Sequence, residues 1–169
     1  MKTQFAWHVH HDKLIEPLIG SIEERIAYIK KYKPEKERDL RLRLLKPVIG
    51  PLPIIYVKAR GAYVKAMGAY VKARGAYEKA GEACVKAWKV CREAGETYYD
   101  EAWEAYDEAR RVSKEAGEAF EEAGEAYEET RKAFVEARKV SQPIIELLHS
   151  AECRNCPWDG KTIFPPRWW

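Results

Sequence analysis

The residues best suited to chemistry are cysteines and histidines near the two ends of the chain. Cys153 and Cys156 are separated by two residues, and thiolates at this spacing on a tight turn can occupy one edge of a tetrahedral metal site. This spacing predicts a metal site. Packing of the two side chains and thiol redox chemistry are the alternatives, and redox chemistry is disfavoured because no thioredoxin-like βαβ pattern surrounds the motif.

The histidines supply further candidate ligands. We predict a strand over residues 3–11, in which His8 and His10 share one face because side chains alternate between the two faces of a strand. His149 lies four residues before the first cysteine and competes as the third ligand. His11 would point to the other face of the strand and is the weakest candidate.

The cysteine segment resembles the knuckle of a zinc ribbon. A Pro-Trp-Asp-Gly turn follows the cysteines, and residues 161–164 have the pattern of a short strand. The resemblance implies structural zinc in a site whose four positions are all filled by protein. The predicted ligands are Cys153, Cys156, His8, His10 and His149.

A seven-residue repeat over residues 57–141 must position these ends. With Ala59 counted as position a, positions a and d are almost all alanine on both sides of a one-residue slip at residues 98–101. Small side chains at these positions let two helix backbones approach closely. The repeat therefore predicts an alanine-rich coiled coil with its seam at a and d.

The flanking positions predict how the two halves pair. From Lys58 to Lys86 every g position is lysine, and from Glu101 to Glu136 every g position is glutamate. Because antiparallel helices place g against g, these charges predict a helical hairpin with its turn near residues 98–101. The expected ion pairs are Lys65–Glu136, Lys72–Glu129, Lys79–Glu122 and Lys86–Glu115, and the expected contacts on the other flank are Tyr63–Phe134, Tyr70–Tyr127, Tyr77–Phe120 and Cys84–Ser113. One unbroken helix that pairs with a second copy is the alternative.

The predicted fold is mainly α, with three segments. Residues 1–50 form an N-terminal cap of a short strand and two or three helices, and Ser21 with Glu24 makes a capping box for one of them. Residues 51–142 form the hairpin. Residues 143–169 form a zinc-knuckle-like tail that packs on the N-terminal cap.

A row of valines on the first arm predicts an interaction surface. Val57, Val64, Val71 and Val85 share position f and face away from the seam. An apolar stripe of this kind needs a cover. We expect the N-terminal helices to cover it, with self-association or a protein partner as the alternative.

Composition and charge exclude several classes of protein. The net charge of +3 is too small to indicate a polyanion partner. We find no Walker loop, no nucleotide-binding glycine fingerprint and no Ser/His/Asp grouping, so we expect a protein that is not an enzyme. Without a visible signal peptide or membrane-spanning segment, we expect a cytoplasmic location and no membrane partner.

The sequence thus favours a structural or interaction protein, a coiled-coil spacer or scaffold with a structural metal site at its base. A nucleic-acid-binding protein is the alternative. It would use the basic helix 34–46 together with the cysteine motif and the tryptophans of the tail, Trp158, Trp168 and Trp169.

Overall fold

A computed structural model describes residues 4–18, 20–94 and 98–165. Within these residues the protein is mainly helical, and two long helices pack against each other. No helix in this part of the chain is long and apolar enough to cross a membrane. The chain divides into two compact units, which are unit 1 (Met1–Leu52 with Gln142–Trp169) and unit 2 (Pro53–Ser141).

Unit 1 contains a small antiparallel sheet. Its strands are β1 (Phe5–Trp7), β2 (Ile15–Pro17) and β3 (Lys46–Pro47), in the order β2-β1-β3. The strand predicted over residues 3–11 is therefore too long. It ends at Trp7 because His8 adopts a left-handed backbone conformation with φ of 53°.

Two helices follow the first two strands. Helix α1 spans Ile22–Tyr32 and helix α2 spans Glu35–Leu44. The predicted capping box is confirmed, since the Ser21 hydroxyl accepts the backbone N–H of Glu24 at 3.1 Å and the Glu24 carboxylate accepts that of Ser21 at 3.0 Å. The two bonds satisfy orphan donors at the start of α1.

The apolar side of α1 is used inside unit 1. Ile29 is buried with Ala6, Val9 and Leu45, and further apolar side chains surround this group: Leu18, Ile22, Ile26 and Leu42. The apolar side of α1, which was expected to cover the valines of the first arm, therefore packs against residues of unit 1.

The valine row itself is exposed. Val64, Val71 and Val85 have 43%, 61% and 55% of their surface accessible. The prediction that the N-terminal helices cover this row is wrong.

The long helices are α3 (Ile54–Glu93) and α4 (Tyr99–Glu152). The turn predicted near residues 98–101 is therefore misplaced, because α3 already ends at Glu93 and α4 includes residues 99–101. Asp100 and Glu101 lie in the first turn of α4, where carboxylates interact favourably with the positive end of the helix dipole.

Helix α4 also runs farther than expected. The predicted hairpin ends at residue 142, whereas α4 continues through Pro143 to Glu152. A proline removes one helical hydrogen bond and crowds the preceding turn. Ser141 and Ile145 on either side of it are buried.

Aromatic rings show how α3 and α4 pair within unit 2. The ring centroids of Tyr63 and Phe134 are 5.5 Å apart, and two further predicted pairs are stacked at 5.4 Å and 5.7 Å: Tyr70–Tyr127 and Tyr77–Phe120. Residue numbers rise along α3 as they fall along α4, so the two helices are antiparallel. The expected contacts of the aromatic flank are confirmed for these three pairs.

The seam lies at positions a and e, whereas we expected a and d. The a alanines of α3 are buried or half-buried, but all of its d alanines are exposed, and α4 repeats this pattern. Rings at position e bury far more apolar surface than alanine does. The helices are therefore rotated so that the tyrosines and phenylalanines, and not the d alanines, face the partner helix.

The same rotation removes the expected ion pairs. Residues of an α-helix are about 100° apart, so a seam centred between a and e leaves position g about 140° away from the facing helix. Among the described residues, no lysine of α3 lies within 4.0 Å of a carboxylate of α4. The four predicted Lys–Glu pairs are therefore not formed within the chain.

Candidate metal centre

Three of the five predicted ligands form a cluster inside unit 1, and a fourth, Cys156, contacts one of them. The Nε2 atoms of His8 and His149 are 2.9 Å apart, and the Cys156 Sγ atom is 3.2 Å from His8 Nε2. The donor atoms of His8, His149 and Cys153 all lie within 4.8 Å of one another, and these three residues are buried. This cluster could hold a metal ion.

The end of α4 supplies two members of the cluster. His149 and Cys153 are four residues apart and so lie on one face of the helix. The helical hydrogen bond from the Cys153 N–H to the His149 carbonyl is 2.7 Å long. Their relative position is therefore fixed by the last turn of α4.

The left-handed backbone of His8 supplies the third member. A non-glycine residue with positive φ is uncommon, although histidine is enriched among the exceptions. At His8 this conformation ends β1 and brings the imidazole to His149, where the ring centroids are 5.0 Å apart. The strand alternation that would have paired His8 with His10 does not persist.

A tight turn carries the second cysteine. The Cys156 N–H donates to the Cys153 carbonyl at 3.3 Å, and Asn155 between them has φ of 57°. Asparagine tolerates this left-handed conformation better than most residues. The turn expected of a metal-binding knuckle is thus present.

The strand predicted over residues 161–164 is not formed. The Asp159 carboxylate accepts the backbone N–H groups of Lys161 and Thr162, each at 2.8 Å. Such local side-chain bonds compete with strand pairing for the backbone donors. Ile163 instead donates its N–H to the carbonyl of His11 at 2.9 Å and is fully buried.

The remaining two histidines lie elsewhere in unit 1. His10 is exposed, and its Nδ1 atom is 2.6 Å from the carboxylate of Glu16. His11 is exposed, and its ring lies 6.2 Å from that of Phe164. Neither belongs to the buried cluster, and His10 is the predicted ligand that the structure does not bring to it.

Aromatic and acidic residues that the motif search missed surround the cluster. The ring of Trp7 is 5.3 Å from that of His149, and the ring of Trp158 is 5.5 Å from that of His8. Trp7 is completely buried and donates its Nε1–H to Glu152 at 2.8 Å. These rings therefore pack directly against the two imidazoles.

Glu152 connects three segments of unit 1. Besides Trp7, its carboxylate accepts the backbone N–H groups of Ile49 at 3.1 Å and Gly50 at 2.6 Å. These bonds lower the pKa of Glu152 although burial opposes the shift. No sequence pattern marked this residue, because its partners are more than 100 residues away along the chain.

Burial controls the protonation of the candidate ligands. Desolvation, with the neighbouring His149, lowers the pKa of His8 to about 4, and desolvation also lowers the pKa of His149. Desolvation, with the neighbouring Cys156, raises the pKa of Cys153 to about 11 and raises that of Cys156 as well. Without a metal, the imidazoles are neutral at pH 7 and the thiols keep their protons.

The cluster offers two nitrogen donors and one sulfur donor that could hold a metal ion. Zinc–nitrogen bonds of about 2.0 Å give nitrogen–nitrogen edges of about 3.3 Å in a tetrahedron. The 2.9 Å separation of the His8 and His149 Nε2 atoms is somewhat shorter than this edge. The 3.2 Å separation of Cys156 Sγ and His8 Nε2 is likewise somewhat shorter than the nitrogen–sulfur edge of about 3.5 Å that a zinc–sulfur bond of about 2.3 Å gives. Two imidazoles and two thiols are also the donor types that zinc prefers.

A cavity of about 470 Å³ lies beside the cluster. Its lining includes both cysteines, His149 and Trp158, together with polar side chains of the last turns of α4. An ion can therefore reach the donors from this side without unfolding of unit 1.

The basic helix of the nucleic-acid alternative is partly engaged within unit 1. Arg41 is buried, forms a 2.6 Å ion pair with Glu37 and lies over the ring of Phe164. Arg38 donates to the Lys33 carbonyl at 2.7 Å. Two of the helix's cations thus have intramolecular roles, and residues 168–169 of that hypothesis lie outside the described residues.

The chain matches no family model, no curated protein and no solved structure. Any functional assignment must therefore be argued from its own residues.

Proposed function

We propose that the protein is a structural or interaction module, a coiled-coil helical hairpin that serves as a spacer or scaffold, with a structural zinc ion in unit 1. The ligands would be His8, His149, Cys153 and Cys156. The observation that carries the proposal is the buried cluster of His8, His149 and Cys153, with the Cys156 Sγ atom 3.2 Å from His8 Nε2 although the two residues are 148 positions apart.

The donor set supports a structural role for the ion. Structural zinc sites are four-coordinate and closed, whereas catalytic sites keep one position for water or substrate. With two cysteines and two histidines, every position would be filled by protein. The zinc would contribute to folding by holding the region after β1 to the end of α4.

The repeat supports the scaffold role. Helices of this length give a stiff element about 60 Å long over the 40 residues of α3. The exposed row of Val57, Val64, Val71 and Val85 offers a surface for self-association or for a protein partner.

The nucleic-acid alternative has weaker support, because Arg38 and Arg41 already bind groups within unit 1. A steep dependence of RNA or heparin retention on salt would favour it over the scaffold proposal.

Native mass spectrometry of protein purified without chelator tests the zinc site. We expect one zinc ion per chain, and the mass should fall to that of the metal-free chain when Cys153 is replaced by serine. Cys84→Ser is the matched control, since Cys84 lies in unit 2. Wild-type protein that is purified metal-free and does not take up added zinc would contradict the proposal.

A further inference from the structure

The rotation of the seam leaves one face of unit 2 without a partner. In antiparallel helices the same heptad position lies on the same side of both helices. With a and e at the seam, positions d and g of α3 and α4 together form one face. We call this face the d/g face.

The centre of the d/g face is apolar and exposed. Val90, Val112 and Val140 have 62%, 42% and 58% of their surface accessible. The other d residues are exposed alanines, which are Ala62, Ala69, Ala76 and Ala83 on α3 and Ala105, Ala119, Ala126 and Ala133 on α4.

The two edges of this face carry opposite charges. From Lys58 to Lys86 the g positions of α3 are lysines, and none of these lysines lies within 4.0 Å of a carboxylate among the described residues. The last g position of α3, Glu93, is acidic. The g positions of α4 are glutamates, of which Glu108 and Glu115 bind Arg111 on their own helix. Helix α3 has nine Lys/Arg against three Glu, whereas residues 99–141 have seven Lys/Arg against thirteen Asp/Glu.

This arrangement has the form of half of a four-helix bundle. In such a bundle each helix directs a and d to the centre, one flank to one neighbour and the other flank to the second neighbour. Here position e meets the partner helix of the same chain through aromatic rings. Position g is the other flank, and its side chains are exposed on both helices.

We propose that a second copy of this chain docks on the d/g face and completes an antiparallel four-helix bundle. A two-fold axis parallel to the helices places α3 of each copy beside α4 of the other. The lysine edge of one copy then faces the glutamate edge of the other, so the face is complementary to itself. The Lys–Glu pairs expected from the sequence, such as Lys79–Glu122, are formed between the chains.

This inference rests on the proposed interaction role of the hairpin and assigns self-association to the d/g face. The valine row lies on α3 at position f, away from the d/g face. The f positions of α4 are mostly charged, so they do not continue this apolar row on the second helix. The charges therefore favour the d/g face for the second copy.

Charge reversal of the full-length protein provides the test. One variant carries Lys65→Glu, Lys72→Glu and Lys79→Glu, and a second carries Glu122→Lys, Glu129→Lys and Glu136→Lys. In sedimentation equilibrium, wild type should dimerise, and each variant alone should dissociate with a constant about tenfold higher or more. An equimolar mixture of the two variants should restore dimers, since each lysine edge again faces glutamates.

A control variant, Val64→Ser with Val71→Ser, should keep the wild-type dissociation constant within about twofold, since exposed substitutions away from a contact have small effects. Carbodiimide should also join Lys79 to Glu122 between isotopically labelled and unlabelled copies. Wild type that stays monomeric at the highest concentration reached would overturn the proposal. So would charge-reversed variants that dimerise normally, mixing that restores nothing, or a dimer lost in the valine variant. Loss of the dimer in the valine variant would leave the scaffold role in place but would assign the contact between copies to the valine row.

Discussion

At the scale of single residues, the cluster is held by burial and by rigid neighbours. His149 and Cys153 are placed by one helical turn, His8 by a left-handed backbone, and Glu152 joins Trp7 to the loop at Ile49 and Gly50. Hydrogen bonds and ring contacts around the ligand side chains orient the ligands of metal sites. The geometry distinguishes the buried histidines from the exposed ones.

Exchange of single histidines should show this distinction. His149→Gln should weaken zinc binding at least tenfold, because it removes one of the proposed ligands and leaves the site three-coordinate. His10→Gln should leave the affinity unchanged, because His10 is exposed beside Glu16. Competition with a chromophoric chelator measures both variants. Equal losses in the two variants would contradict the assignment of ligands.

The metal-free protein should lose stability in mild acid. The pKa of His8 is about 4 in the folded protein against an ordinary value of 6.5, so the unfolded chain binds more protons as the pH falls below 6.5. The free energy of unfolding should therefore decrease by about 2 kcal/mol between pH 7 and pH 5 and level off below pH 4. Urea unfolding in the presence of a chelator measures it.

The His8→Gln variant is the control for this pH dependence, because glutamine does not titrate. Its stability should change less between pH 7 and pH 5 than that of the metal-free wild type. Parallel curves for the two proteins would show that another group is responsible.

At the scale of the elements, aromatic residues at position e define the contact between α3 and α4. Tyr70 stacks on Phe120 and Tyr127 at 5.1 Å and 5.4 Å, and each neighbouring ring pair repeats one heptad away. Alanine at position a lets the backbones approach, and the rings supply most of the buried apolar area. The seam is an aromatic one.

Substitutions at neighbouring positions of α3 should distinguish a residue of the seam from an exposed residue by their effects on stability. Tyr70→Ala should lower the free energy of unfolding by about 2–3 kcal/mol, because it removes two ring contacts. Val71→Ala, one residue later and 61% exposed, should change it by less than about 0.5 kcal/mol. Urea unfolding followed by circular dichroism measures both. Similar effects of the two substitutions would contradict the a/e seam.

The helical content, the capping box at Ser21 and the antiparallel aromatic pairs follow from the sequence, because they depend on local periodicity. The rotation of the seam does not, since a heptad of alanines fits a/d and a/e packing almost equally. Only the area buried by the rings decides between them.

The candidate site was predictable in its residue types but not in its full membership. The spacing of Cys153 and Cys156 indicated a turn, and His149 is one helical turn before the first cysteine. His10 was placed with His8 by strand alternation, which the positive φ of His8 interrupts. Trp7 and Glu152 were not found, because contacts across more than 100 residues leave no local pattern.

At the scale of the whole molecule, the sheet, the short helices and the end of α4 form one compact unit from both ends of the chain. A metal that binds residues separated by 141 positions should stabilise this unit strongly, since the ligands come together only in the folded protein. The antiparallel helices then form a second unit whose d/g face is open to another copy.

Removal of the metal should therefore lower the stability of the protein as purified. Adding a strong chelator should reduce the melting temperature, and adding zinc back should restore it, because ligand binding to the folded state alone stabilises that state. Differential scanning calorimetry measures this shift, with Cys153→Ser as the variant that should not respond. A melting temperature that chelator leaves unchanged would contradict the expected contribution to folding.

X-ray absorption at the zinc edge tests the central claim, a closed structural zinc site, most directly. For the zinc-bound protein we expect two nitrogen ligands at about 2.0 Å and two sulfur ligands at about 2.3 Å, from His8, His149, Cys153 and Cys156. A first shell of nitrogen and oxygen without sulfur, or one that retains a water ligand, would contradict it.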